Sequence, residues 1–228
     1  MGEKAHGRLN PGRSLLLAGV ILAAVNLRPA LTALGPLIGE IQADTGLDAA
    51  GAGLVAALPV LCFGIFSGLV PRLGRRFGLE EVLLAAMLAL AAGILLRLLP
   101  ATPFLFLGSA VLGIAIAFSN VLLPGVTKRS FPVDGRRVSS LYVAVLGVSA
   151  TAASALAIPL SETWLGWRGA LAVWAIPALI AAVAWALLVR RRPVSRPAPP
   201  KVAGLRALLR SRLAVAVMLF MAAQAFAF

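Results

Sequence analysis

The chain is poor in charge and poorer still in acid. Of its 228 residues only 13% are charged, and 8 acidic side chains stand against 21 basic ones. A water-exposed globule has about a quarter of its residues charged, so this chain lacks the polar surface to cover one of its size. One cysteine, Cys62, and one histidine, His6, exclude a disulfide framework and a zinc site. No nucleophile–base pair or metal-ligand set can be assembled from them, so neither an enzyme nor a cofactor is expected. What abounds is apolar: 61% of the residues, with a mean hydropathy of +0.97. That excludes intrinsic disorder, and a nucleic-acid binder would fit the +13 charge yet fail on the apolar content. What remains is an integral membrane protein with its bases outside the lipid, whose partner is the bilayer.

A membrane helix needs roughly 20 apolar residues to cross ~30 Å of hydrocarbon. Runs between charges supply six candidates: 14–39, 49–71, 79–98, 103–125, 138–161 and 169–189, of which the first holds a single charge, Arg28. The runs are too long for the ~10-residue strands of a membrane barrel and do not alternate apolar with polar. Backbone in lipid must satisfy its own hydrogen bonds, so the spans are helices. The first is too long for a signal-peptide core and is followed by further spans, which argues against cleavage.

Orientation follows from the bases. Lys4, Arg8 and Arg13 precede the first span; Arg72, Arg75 and Arg76 join the second to the third; Lys128, Arg129, Arg136 and Arg137 join the fourth to the fifth. Eight more follow the sixth span, from Arg190 to Arg212, so 18 of the 21 bases fall on one side. The other side carries Glu40, Asp44, Asp48 and Glu162 with only Arg97 and Arg168. The positive-inside rule predicts a cytoplasmic N-terminus. The expected organisation is a cytoplasmic tail (1–13), a six-helix bundle (14–189), a basic Pro-rich linker (190–212) and the start of a seventh helix (213–228). Pro193, Pro197, Pro199 and Pro200 preclude a continuous helix through the linker. The last 16 residues are short for a crossing and end inside an apolar run, as in an incomplete or truncated protein.

Arg28 is the sharpest candidate. It lies about fifteen residues into the first span, on the order of 20 Å, too deep to snorkel readily. A charge there costs ~2.5–3.5 kcal/mol on insertion scales and marks a functional hypothesis by default. An arginine stays protonated, which suits a fixed anion or a planar polar solute rather than proton carriage. The alternative is a structural arginine satisfied by backbone carbonyls or a partner helix. Thr32, four residues on, shares its helical face. Asn26 falls about 200° round from Arg28, and either serves the turn that Pro29 breaks or contacts solute. Pro29 leaves the carbonyl of Val25 without its usual partner. Further candidates are Asn120 in the fourth span and Tyr142 in the fifth; interhelical glue and interfacial anchoring are their alternatives. Gly64 and Gly68 form a small-xxx-small pair expected to permit close packing, and Trp164, Trp167 and Arg168 form an expected interfacial belt. No acidic residue lies deep in a span, so the carboxylate proton relay of many transporters is missing from this stretch.

The loop Pro71-Arg72-Leu73-Gly74-Arg75-Arg76, with six spans and a long basic linker, resembles the N-terminal half of a major facilitator superfamily transporter. Arg72, Gly74, Arg75 and Arg76 match that family's loop signature, whereas Ser67 and Pro71 stand where Gly and Asp are usual. Asn26-Leu27-Arg28-Pro29, Gly35-Pro36-Leu37, Leu58-Pro59-Val60-Leu61-Cys62-Phe63-Gly64, Asn120-Val121-Leu122-Leu123-Pro124 and Lys128-Arg129-Ser130-Phe131-Pro132 resemble the cyanate/2-nitroimidazole branch. The resemblance implies a twelve-helix inner-membrane permease of bacterial type with two pseudo-symmetric halves, the second missing here, and a cavity lined by helices 1, 2, 4 and 5. It implies secondary transport of a small anion or polar solute by alternating access. The substrate-binding set would be Arg28, Thr32, Asn26, Asn120 and Tyr142, and the conformational loop Arg72, Gly74, Arg75 and Arg76. Multidrug or other efflux on the same fold is the alternative, mildly disfavoured because 147–159 lacks the drug-antiporter Gly-Pro signature. An inactive half-transporter or a homodimer of halves is the other.

Overall fold

The computed structural model describes residues 11–191. The start of the tail, the linker beyond Arg191 and the expected opening of a seventh helix lie outside the described residues. Every regular element among the described residues is helical. Six helical segments are long and apolar enough to cross a membrane: Gly12–Thr45, Ala49–Ser67, Leu79–Leu96, Thr102–Ser130, Gly135–Ser161 and Gly166–Arg191. They are called the first to sixth spans. The fourth runs past its expected end at 125 because charge bounds the lipid-embedded part, not the helix. Lys128 and Arg129 fall in its last turn, where a cation complements the negative end of the helix dipole.

The first span is broken where its prolines predict. A helix Pro11–Leu27 gives way to the short helix Pro29–Thr32, a 3-10 turn Gly35–Leu37 and a helix Ile38–Thr45. At 34 residues an unbroken version would measure about 50 Å at ~1.5 Å per residue, well beyond the hydrocarbon thickness. Gly46, at φ 70°, ends the run in a left-handed cap. The next span starts at once, with Asp48 accepting from the Gly51 amide at 2.7 Å.

The fourth span is the hub of the bundle. It packs on the second and third, the sixth packs on the third and first, and the fifth leans on the first. Two crossings bring backbones together. A Cβ on Gly108 would stand 2.5 Å from the Gly93 carbonyl oxygen, and one on Gly113 would stand 2.5 Å from the Pro59 Cα. On Gly64 and Gly68, expected to do this work, an added Cβ would meet nothing within 4 Å among the described residues. Their spacing within one helix says nothing of what that face meets. The second and fifth spans are the least covered, with 22% and 17% of their apolar windows buried against 56% for the fourth. Six apolar spans make this a multi-pass membrane protein.

Candidate functional site

The break in the first span builds the site. Leu27, Arg28 and Leu31, on either side of Pro29, line a cavity of about 270 Å³ with Pro59, Val60 and Phe63 of the second span and Ile116 and Asn120 of the fourth. Pro59 is there because the second and fourth spans touch through Gly113, which brings the fourth-span face to the break. The cavity therefore has an aliphatic and aromatic wall with two polar groups converging on it, Arg28 and Asn120.

The Arg28 side chain is exposed, and it makes no hydrogen bond, ion pair or ring contact with any described residue. Its backbone carbonyl, in contrast, is engaged, accepting from the Leu31 and Thr32 amides at 3.0 Å. A guanidinium held by its main chain with all five donors open is a ready acceptor-seeking group. Asn120 donates through Nδ2 to the Ile116 carbonyl at 3.1 Å, and its Oδ1 has no protein partner among the described residues.

The other expected site residues fall elsewhere. Thr32 Oγ1 lies 3.2 Å from the Ala150 carbonyl, so this hydroxyl ties the first span to the fifth and stands outside the cavity lining. Asn26 is 2% exposed. It donates to the Leu22 carbonyl at 2.6 Å and not to the carbonyl that Pro29 frees; its Oδ1 is buried without a partner. Tyr142 is half-buried against the main core cluster. The structure thus brings Arg28 and Asn120 together and leaves Asn26, Thr32 and Tyr142 out of the cavity wall.

The loop residues form a short helix, Val70–Phe77. Arg72, Arg75 and Arg76 are exposed on it, Arg76 lying 5.2 Å from the Phe77 ring centre. Gly74 is buried where a Cβ would press at 3.0 Å on Leu122 and 3.2 Å on Leu79, so its smallness lets the loop helix lie on the fourth span. Beside it Arg129 pairs with Glu80 at 2.6 Å, joining the ends of the fourth and third spans. Sequence reasoning saw Arg129 only as a topology signal.

Arg97 is the residue whose bonding sequence reasoning missed. Counted there only among the bases opposite the cytoplasmic side, it is 2% exposed and multiply bonded. Nε and Nη2 donate to Ser109 Oγ at 3.2 and 2.8 Å, and Nη1 donates to the Ala30 carbonyl at 3.0 Å. Trp167 also departs from its expected belt role: it is 7% exposed, and its indole donates to Asp44 at 3.2 Å. Arg168 pairs with the same carboxylate at 3.0 Å and donates to the Leu99 carbonyl at 2.9 Å. Of the three expected belt residues Trp164 is the most exposed, at 93%.

Residues 15–228 match the family model of the Major Facilitator Superfamily. The chain is 38% identical over 209 residues to the 2-nitroimidazole transporter of Escherichia coli K12, covering 92% of this chain and 53% of that protein. It is 36% identical over 214 residues to the transporter YycB of Bacillus subtilis 168, covering 93% and 53%. To the cyanate transport protein CynX of Escherichia coli K12 it is 32% identical over 184 residues, covering 79% and 47%. Among solved structures, a bacterial homologue of the human drug peptide transporters PepT1 and PepT2 superposes with a TM-score of 0.66 at 17% identity, over 93% of this chain and 47% of that one. That likeness is one of fold. The chain spans about half the length of the curated relatives it matches.

Proposed function

The chain belongs to the Major Facilitator Superfamily, and we propose that it supplies the first half of a secondary active transporter for a small anion or planar polar solute, with Arg28 orienting the solute. The carrying observation is the Arg28 guanidinium, exposed in a cavity and bonded to nothing else described. A buried or half-buried arginine with its own acceptors would be structural; one whose donors are open has its binding capacity unspent. An anion or a nitro, cyanate or amide oxygen meets the fork of N–H donors, Asn120 offers a second polar contact, and Phe63 and Ile116 pack on the apolar remainder. The relatives named for 2-nitroimidazole and cyanate suit such a pocket. In this reading the poorly covered second and fifth spans face the other half. Solute moves by rocking of one half against the other around a site near the midplane. The N-terminus is cytoplasmic in a bacterial inner membrane, by the distribution of bases.

The test is uptake of cyanate and of 2-nitroimidazole by proteoliposomes carrying the two-half protein. Losing a hydrogen bond to a charged group costs about 1.5–3 kcal/mol, so Arg28→Gln should raise KM roughly 10–100-fold. Normal transport of both solutes by Arg28→Gln would overturn the assignment.

A further inference from the structure

Arg97 is a buried cation for which the described residues provide no acid. The ion pairs among them are Arg13–Asp134, Arg129–Glu80 and Arg168–Asp44, and Arg97 takes part in none. Its charge is met instead by neutral oxygens and by its position. It caps the C-terminal end of the third-span helix, where carbonyl dipoles favour a cation. Ser109 Oγ accepts two of its N–H groups while donating to the Leu105 carbonyl at 2.7 Å, so that hydroxyl is saturated. The third contact reaches across 67 residues of sequence to the Ala30 carbonyl.

Ala30 is two residues past Arg28, in the short helix Pro29–Thr32. That helix is only one turn long, and the regular ladder lapses beyond the bond from the Ala33 amide to the Pro29 carbonyl. A single turn isolated by breaks on both sides does not hold its own orientation, because helix formation needs several successive bonds to offset the cost of its first. Its orientation must come from outside. Two side-chain contacts supply it: Arg97 grips the Ala30 carbonyl from the third and fourth spans, and Thr32 reaches Ala150 on the fifth. Ala30 faces the core at 3% exposed, while Arg28 and Leu31 face the cavity. Fixing the one side therefore fixes the other.

We propose that Arg97 is a positioning residue, which locks the one-turn helix Pro29–Thr32 in the rotation that presents Arg28 to the cavity. This rests on Arg28 being the solute contact. Two measurements on the two-half protein in proteoliposomes decide it; the first applies where Arg28→Gln itself weakens transport, and the second fails separately from that premise. The first is a double-mutant cycle on solute KM. Arg97→Met should raise KM at least tenfold when Arg28 is present and by less than twofold in the Arg28→Gln background. A scaffold role alone would give the same factor in both backgrounds and would overturn the inference. Arg97→Lys, which keeps a donor for one acceptor, should recover part of the loss, and Ser109→Ala should fall between wild type and Arg97→Met. These two variants keep the question open to refutation should Arg97→Met fail to fold.

The second measurement is backbone hydrogen exchange, which does not depend on transport. The amides of Leu31 to Leu34 should exchange at least tenfold faster in Arg97→Met, with those of the second span unchanged. Unaltered exchange in 31–34 would overturn the inference even with a weakened KM. If Arg28→Gln transports normally while exchange in 31–34 accelerates, the substrate reading fails and the lock stands.

Discussion

Two arginines lie among the apolar spans, and the protein treats them in opposite ways. Arg28 is exposed, unbonded at its side chain and faces a cavity; Arg97 is 2% exposed and spends its donors on Ser109 and Ala30. The surroundings differ in the same sense. Around Arg97 the third and fourth spans meet through glycine, with Gly108 so close that a Cβ would lie 2.5 Å from the Gly93 carbonyl oxygen and 2.9 Å from the Arg97 Cγ. On the second span, beside the cavity residue Phe63, a Cβ on Gly64 would meet nothing within 4 Å. The difference teaches where each charge can act. A charge held by three hydrogen bonds is part of the frame, and one with none made to a described residue is available to a solute.

The largest effect expected is at the glycines that set this contrast. Gly108→Ala drives a methyl into backbone oxygen that cannot step aside, so it should destabilise by about 2–3 kcal/mol, at the upper range for overpacking. Gly64→Ala meets open space in the middle of a helix and should gain up to ~1 kcal/mol of helix propensity. Thermal unfolding in detergent reads both. Equal melting shifts would erase the distinction between the closed crossing at Gly108 and the open face at Gly64.

A smaller effect is expected when the arginines themselves are exchanged for methionine. Arg97→Met leaves the Ala30 carbonyl buried without its side-chain donor, which costs about 1–3 kcal/mol. Arg28→Met removes a side chain that bonds nothing described, so stability should stay within about 0.5 kcal/mol. The melting curves should separate the two variants although both remove one positive charge from among the spans.

That separation was only half legible in the sequence. The spans were, because charges and Pro-containing turns interrupt every apolar run, and Arg28 was, because it is the one charge within 14–39. Asn120 and Arg28 line one cavity, although nothing in their sequence spacing joins them. Arg97 was not, because a base at the end of a span ordinarily reaches water. Its burial depends on the Gly93–Gly108 approach and on an acceptor 67 residues away. The same holds for Trp167, whose partner Asp44 is 123 residues distant. Gly64 and Gly68 carried the recognised spacing without a partner among the described residues, whereas the glycines that close the bundle are Gly93 on the third span and Gly108 and Gly113 on the fourth. Periodicity along one helix reports the shape of a face; only the tertiary fold says what the face meets.

The smallest effect separates two asparagines that sequence spacing had placed in one candidate set. Asn120 lines the cavity with an unbonded Oδ1, and Asn26 is buried with its Oδ1 unpartnered inside the protein. If Asn120 meets the solute, Asn120→Ala loses one neutral hydrogen bond, worth about 1 kcal/mol, and KM should rise roughly fivefold. Asn26→Leu has a different sign. It loses the bond to the Leu22 carbonyl, an oxygen already within a helix, and it removes a buried acceptor whose desolvation nothing offsets. Stability should therefore hold or rise, and KM should stay within twofold. A KM rise for Asn26→Leu matching that of Asn120→Ala would place both side chains at the solute. It would then require the helix before Pro29 to rotate during transport, carrying Asn26 from the core into the cavity beside Arg28.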